Sequence, residues 1–202
     1  MKLARWGHIL FCSLGCGIVA GLAQQAQLLS IAPQTSVRVP ARWKPSGVRY
    51  SNAQELVVTG QAKVAAAPGQ PDVVDYSMAR VLITTEQRTS HQDALKRLED
   101  IAVSRTEPAR YVEIGGWPAV ELDFKERLPR RGQPGPTGDV SVPRSIVAVA
   151  AESRVVQFDI SLAPGAPAAL LEEAKQIARS SSFPRRGDPQ EVKNPSRRLS
   201  RE

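Results

Sequence analysis

The chain is poor in the side chains that most metal and nucleophilic sites need. Its 202 residues include two cysteines and two histidines. Both cysteines, Cys12 and Cys16, lie in an N-terminal apolar stretch, and a chain that begins after Ala23 keeps no cysteine and only His91. We therefore expect no disulfide, no zinc or other metal site, no Ser-His-acid triad and no bound cofactor. Stability must then come from a packed core, for which the length is ample.

The N-terminus predicts export. Two basic residues precede an apolar run at residues 9–22, which is shorter than the roughly 20 residues of a membrane span. We expect cleavage of a signal peptide at residues 1–23, near Ala23, a spacer at residues 24–35, and a periplasmic or secreted protein. Two alternatives remain open: a retained membrane anchor, and lipidation at Cys16, where Ser13 occupies the position that a lipobox fills with leucine.

Positive charge is concentrated at the C-terminus. The net charge is +7, and residues 184–202 hold six Lys or Arg against three Asp or Glu. A basic tail of this kind, which includes Arg185 and Arg186, can contact an anionic envelope component, or it can be a solvated disordered segment. Contact with the membrane is expected only through the transient signal or this tail. Nucleic-acid binding is not expected, because the chain is exported and has no aromatic-basic motif.

Apolar periodicity predicts strands and two helices. Within residues 36–43 a strand is expected that Pro40 stops. Further strands are expected at residues 54–59 and 78–85, with a loop at residues 62–74. Ser90 is expected to cap a helix whose apolar side chains recur every three or four residues. A second amphipathic helix is expected after residues 164–167 and before Phe183, which is expected to pack against its end.

Two hairpins are predicted between the helices. One turns at Gly115-Gly116, because glycine accepts the positive φ angles of tight turns. The other turns near Glu152 and joins strands at residues 146–151 and 154–162. Residues 128–142, which are rich in proline and glycine, are expected to form a flexible connection.

The order of these elements resembles the PsbP-like fold, over residues 36–183. The opening resembles the family's Tyr-Pro-x-x-Trp pattern, with Val39 in place of the aromatic: Val37-Arg38-Val39-Pro40-Ala41-Arg42-Trp43. Two further segments are similar to the family's turn before its middle strand and to its usual ending after the last helix. They are Gly115-Gly116-Trp117-Pro118-Ala119 and Ser181-Ser182-Phe183. The resemblance implies an α+β fold with a twisted antiparallel sheet flanked by helices, an α/β sandwich. It also implies a non-enzymatic envelope or secreted module. The resemblance assigns no functional residue to this chain.

The expected function is therefore binding of a protein or an anionic envelope component. Three contact regions are candidates, at the Gly115-Gly116 end of the sheet, at the start of the proline-rich connection and in the tail. Their residues are Trp117, Arg127, Arg130, Arg131, Arg185 and Arg186. For Trp117, and for Trp43, a packing role is the alternative. A further hypothesis is that this protein is an accessory domain from a lineage of larger secreted proteins, here standing alone.

The alternative from another class is a secreted hydrolase or carbohydrate-active protein. Glu121 and Asp123 share one face of a predicted strand, and we expect Asp159 to approach them across the sheet. Carboxylates at the floor of a pocket with raised pKa values would favour an enzyme. Carboxylates flanked by solvent or by salt-bridge partners would favour a binding module.

Overall fold

The computed structural model describes residues 26–48, 52–63, 73–129 and 139–184. The predicted signal peptide and Cys16 lie outside these ranges, as do Arg130, Arg131 and nearly all of the basic tail. Within these ranges, no helix has both the length and the hydropathy that a membrane span requires.

Nine strands and two helices are present in the described residues. In chain order they are β1 (Gln27–Ala32), β2 (Thr35–Val39), β3 (Lys44–Pro45), β4 (Ala53–Lys63), β5 (Val73–Gln87), α1 (His91–Ala102), β6 (Arg110–Ile114), β7 (Trp117–Pro129), β8 (Asp139–Ala151), β9 (Arg154–Leu162) and α2 (Ala169–Arg179).

Seven of the strands form one antiparallel sheet in the order β3-β4-β5-β9-β8-β7-β6, and β1 pairs with β2 as a separate hairpin. Strand β9 is central, and every second side chain along it is fully buried against the core. The two helices pack on this antiparallel sheet. The predicted fold class, α+β with an antiparallel sheet flanked by helices, is confirmed.

The helices cover opposite faces of the sheet. Helix α2 packs on a core that includes Val147, Val156 and Phe158. Helix α1 packs on a smaller cluster that includes Ala148 and Val155. Because neighbouring side chains on a strand point to opposite faces, consecutive residues of one strand belong to different cores. We call these two surfaces the α2 face and the α1 face.

The predicted signals at α1 and at both hairpin turns are confirmed. The side chain of Ser90 accepts a hydrogen bond from the backbone of Asp93. Gly115 and Gly116 have positive φ angles between β6 and β7. The second turn lies at Glu152, which also has a positive φ.

Residues 27–32 are a strand, not a spacer. Strand β1 pairs with β2 across a turn in which Gln34 has φ 58°. Ile31 is buried and Leu29 packs against the core on the α2 face. Two inward-facing apolar side chains close to the N-terminal apolar run are too short a pattern to be recognised as a strand, and pairing with β2 is needed to form it.

Two β-ribbons extend into the predicted connections. Strands β7 and β8 remain paired as far as Pro129 and Asp139, inside the expected flexible stretch at residues 128–142. Strands β4 and β5 remain paired as far as Lys63 and Val73, inside the expected loop at residues 62–74. Strand β9 ends at Leu162, where its pairing with β5 also ends. The antiparallel order therefore places both ribbons at the same end of the sheet, beyond the C-terminal end of β9.

Candidate functional site

A network of ion pairs connects β7 to α2 on the α2 face. The side chain of Glu121 is 2% exposed. One of its oxygens accepts a hydrogen bond from Nε of Arg179 at 2.7 Å, and the other accepts one from Nη2 at 2.8 Å. Nη2 of Arg110, on β6, donates to the second oxygen at 2.9 Å. Two guanidinium groups from separate elements are thus held by one buried carboxylate.

A second pair lies beside the first. Nζ of Lys175, on a side chain that is 3% exposed, donates to Oδ2 of Asp123 at 2.7 Å. The same ammonium lies 3.3 Å from the carboxylate of Glu172, one helical turn earlier. Burial of a charged lysine is tolerated only with partners of this kind.

The pKa values of both carboxyls are lowered. For Glu121 the main cause is the hydrogen bond from Arg179, which outweighs the effect of burial, and the nearby cations add to it. For Asp123, burial raises the pKa, but the hydrogen bond from Lys175 and the charges of Lys175 and Arg110 together lower it. Both groups are therefore ionised at neutral pH and already bound, which is unsuitable for a general acid.

Asp159 does not join these two acids, contrary to the expectation from the sequence. Its register partner on β8 is Ile146, whose partner on β7 is Leu122. Residues directly opposite in a sheet share a face, so Asp159 lies on the α1 face while Glu121 and Asp123 lie on the α2 face. The sequence predicted the alternation correctly but could not supply the register between β7 and β9.

The two candidate tryptophans, Trp117 and Trp43, are packing residues in the structure. Trp117 is 5% exposed, meets the ring of His91 edge-on at 5.6 Å, and donates from Nε1 to the carbonyl of Pro184 at 3.3 Å. Trp43 is buried and donates to Glu173 at 2.6 Å. The burial of Trp117 is at odds with its candidacy as an exposed contact.

The candidate arginines have separate positions. Arg127 is exposed on β7, within the ribbon that β7 forms with β8. Arg130, Arg131, Arg185 and Arg186 lie outside the described residues. These four candidates therefore remain predictions from the sequence.

A groove that the sequence did not predict lies on the α1 face. One row of register partners crosses five strands, in the order Val57, Arg80, Ser161, Arg144 and Phe124. Helix α1 packs toward the other end of this face, over Ala148 and Val155. The uncovered part of the row lines a groove of about 860 Å³, with Ser46 and Val48 at its rim.

The arginines of the groove are loosely paired. Arg80 lies 3.4 Å from the carboxylate of Glu55. Arg144 lies 3.3 Å from Glu126 and 3.5 Å from Asp159, and its buried Nε has no hydrogen-bond partner among the described residues. These separations exceed the 2.7–2.9 Å of the Glu121 contacts. Only the strand register brings Arg80 and Arg144 into one row, so no local signal in the sequence could have found the groove.

The described residues contain no group of three or more His, Cys, Asp or Glu side chains positioned to hold a metal ion.

Comparisons with known proteins concern the fold. No family model matches the chain, and no curated protein matches it by sequence. Among solved structures, it is similar to the cyanobacterial PsbP, CyanoP, from Synechocystis, at 15% identity and a TM-score of 0.44, over 85% of this chain and 99% of that one. The expected resemblance to PsbP is thus found among solved structures at the level of fold.

Two further structures are similar at lower identity. The Ran-binding protein Mog1p from Saccharomyces cerevisiae is 9% identical, with a TM-score of 0.46, over 79% of this chain and 96% of that one. A protein from Bacteroides thetaiotaomicron is 11% identical, with a TM-score of 0.48, over 82% of this chain. The match spans half the length of the Bacteroides protein. We base no functional conclusion on these similarities.

Proposed function

We propose that this protein is an exported, non-enzymatic module that binds a protein or an anionic component of the cell envelope. The observation that carries the proposal is the state of the two acids on β7. Glu121 and Asp123 are ion-paired with Arg179, Arg110 and Lys175, and both pKa values are lowered. Salt-bridge partners at these acids are the arrangement that favours a binding module over a hydrolase.

The end of the sheet with the two ribbons supplies the contact surface. Arg127 is exposed on one ribbon, and Thr59 and Ser77 of the other ribbon line the groove that contains Arg80 and Arg144. Concave surfaces with a few convergent polar groups are the usual places for ligand binding. Trp117 has no part in this surface, because it is buried.

The alternative function, a hydrolase or carbohydrate-active protein, has less support. Glycoside hydrolysis needs two carboxyls that flank one bond, with the pKa of the acid raised. Here Asp159 lies on the opposite face from the other two acids, and the pKa values of Glu121 and Asp123 are shifted downward.

The test is in-cell cross-linking of the tagged full-length chain in its native envelope, read by mass spectrometry. We expect a reproducible partner attached through the ribbon end of the sheet, and the same peptides report the mature N-terminus. A soluble monomer that yields no partner at all would refute the binding module.

A further inference from the structure

We propose that the thioether of Met78 is a site of reversible oxidation to methionine sulfoxide, and that its oxidation loosens the β4–β5 ribbon where the ribbon leaves the sheet. The two methionines and two cysteines of the chain are Met1, Met78, Cys12 and Cys16. A chain that begins after Ala23 therefore keeps one sulfur atom, that of Met78. The modification does not depend on the proposed binding function.

Met78 lies at a β-bulge in strand β5. Val58 on β4 pairs with Ala79 on β5. The next residue of β4, Thr59, pairs with Ser77, so that Met78 has no register partner on β4. The pairing of β9 with β5 also ends at Ala79. Because a bulge bends its strand and increases the local twist, this one marks the place where β4 and β5 continue as a two-stranded ribbon.

The contacts of Met78 hold the bulge in place. Its side chain is half-buried and packs against the core on the α2 face. The sulfur lies over Gly60, so closely that a Cβ added to Gly60 would be 2.6 Å from it. The backbone carbonyl of Met78 accepts a hydrogen bond from the N–H of Ala163, just beyond β9, at 2.8 Å. One residue thus connects β4, the core and the end of β9.

The chemistry needs only a small two-electron oxidant, and hydrogen peroxide is the one that we name. One peroxide oxygen bonds to a lone pair of the sulfur while the O–O bond breaks, and the other oxygen leaves as water with both protons. The sulfur loses two electrons and the peroxide gains them. Because the side chain of Met78 is only half-buried, a molecule of this size can reach it.

The sulfoxide does not suit the site that the thioether occupies. Oxidation converts a flexible apolar side chain into a polar one. The core that Met78 packs against is apolar, and Gly60 has no side chain to donate a hydrogen bond. A polar group that is buried without a partner is destabilising. We therefore expect the oxidised side chain to leave Gly60, so that the bulge loses the packing that holds it.

A loosened ribbon would also change the groove on the α1 face. Thr59 and Ser77, which flank the bulge, both line that groove. Oxidation of Met78 should therefore weaken the contact of a partner with this end of the sheet. This consequence, unlike the modification itself, rests on the proposed function.

The experiment treats the purified full-length protein with hydrogen peroxide and locates the added oxygen by peptide mass spectrometry. The matched control is Met78→Leu, which nearly conserves volume, removes this sulfur and keeps Met1 and both cysteines. We expect oxidation of Met78 to lower the thermal midpoint of the wild type by about 5 °C, and the same treatment to leave that of Met78→Leu unchanged. Methionine sulfoxide reductases, one for each epimer, should restore the midpoint.

Hydrogen exchange shows where the structure loosens. In the oxidised protein we expect faster exchange in residues 59–63 and 73–77, which form the ribbon, and unchanged exchange in α1. A second variant, Gly60→Ala, tests the contact directly. Its Cβ would displace the thioether, so Met78 should be oxidised at least about threefold faster than in the wild type.

Three results would overturn the proposal. They are resistance of Met78 to peroxide that oxidises free methionine, an equal fall of the midpoint in Met78→Leu, and a sulfoxide whose midpoint and ribbon exchange match those of the untreated protein. Equal cross-linking of a partner by oxidised and reduced protein would remove the link to the contact surface. The absence of any partner in cells would refute the binding module, whereas the oxidation of Met78 is measured on the purified protein.

Discussion

Glu121 joins three elements through one carboxylate. It lies on β7, and its partners Arg110 and Arg179 lie on β6 and α2. Arg110 is also within 3.5 Å of Asp123, which in turn holds Lys175. Removal of this carboxylate leaves its cations without their main partner. Buried charge pairs are far more sensitive to the loss of one member than to the replacement of both.

Glu121→Gln should destabilise the protein by about 2–3 kcal/mol. The cost stays below that of a fully buried pair, because Arg179 and Arg110 are 33% and 61% exposed and can reach water. Urea unfolding measures it. The matched control is Glu113→Gln on β6, where the side chain is exposed and the expected change is within about 0.5 kcal/mol. Equal destabilisation by the two variants would show that the ion pairs contribute nothing.

Acid should weaken this network in a defined pH window. Because the pKa values of Glu121 and Asp123 are lower in the folded protein than in the unfolded chain, their stabilisation is present above the unfolded values of about 4. It is lost as the pH falls through the folded values. The thermal midpoint of the wild type should therefore fall more steeply between about pH 5 and pH 2 than that of Glu121→Gln. Parallel curves for the two proteins would contradict this assignment.

At the scale of elements, the β6–β7 turn and the segment after α2 hold each other in place. The backbone of Ser182 exchanges two hydrogen bonds with Ser36, which attaches the β1–β2 hairpin to this segment. Phe183 is buried in the core, and a Cβ added at Gly115 would lie 2.8 Å from the carbonyl oxygen of Ser181 and 3.0 Å from the ring of Phe183. The turn therefore needs glycine there for space as well as for conformation.

Gly115→Ala should cost more stability than Gly116→Ala. Both glycines have positive φ, 60° and 83°, but a Cβ at Gly116 meets no atom within 4 Å. We expect about 1 kcal/mol for Gly116→Ala from conformation alone. Gly115→Ala should add a backbone clash and reach at least about 2 kcal/mol. Chemical denaturation of the two variants checks the order, and a larger loss for Gly116→Ala would refute the close contact.

The local elements were predictable because their signals are local. The serine cap of α1, the paired glycines and the apolar spacing of α2 each depend on residues within a few positions of one another. The lengths of β5 and β8 were not predictable. Strand β5 begins at Val73 and strand β8 begins at Asp139, because they pair there with β4 and β7. Each of these pairings joins residues on the two sides of a stretch rich in proline and glycine.

At the scale of the whole molecule, β1 belongs to the folded domain. Leu29 and Ile31 contribute to the core on the α2 face. Although β1 lies outside the seven-stranded sheet, it is part of the folded unit through β2 and the bridge from Ser36 to Ser182.

A chain that starts at Gln34 should be less stable than one that starts at Ala26. The shorter chain loses β1 and the burial of Ile31 and Leu29, which we expect to contribute about 2–4 kcal/mol. Thermal unfolding of the two chains measures the difference. Identical midpoints would mean that residues 26–33 act as the spacer that the sequence suggested.

The sequence could predict the class of fold but only half of the candidate site. It predicted correctly that Glu121 and Asp123 share a face, because alternation is a property of one strand. It could not predict that Arg80 and Arg144 share a row, or that Asp159 lies on the other face. These relations depend on the register of strands that are far apart in sequence.

The central claim is that the protein binds a partner at the groove end of its sheet. The most direct measurement places a photo-reactive residue in the full-length chain at Val48, 54% exposed at the groove rim, and separately at Val103, 78% exposed at the end of α1. Irradiation in native cells should give one reproducible adduct from position 48 and none from position 103. No adduct from position 48, or the same adducts from both positions, would contradict the account.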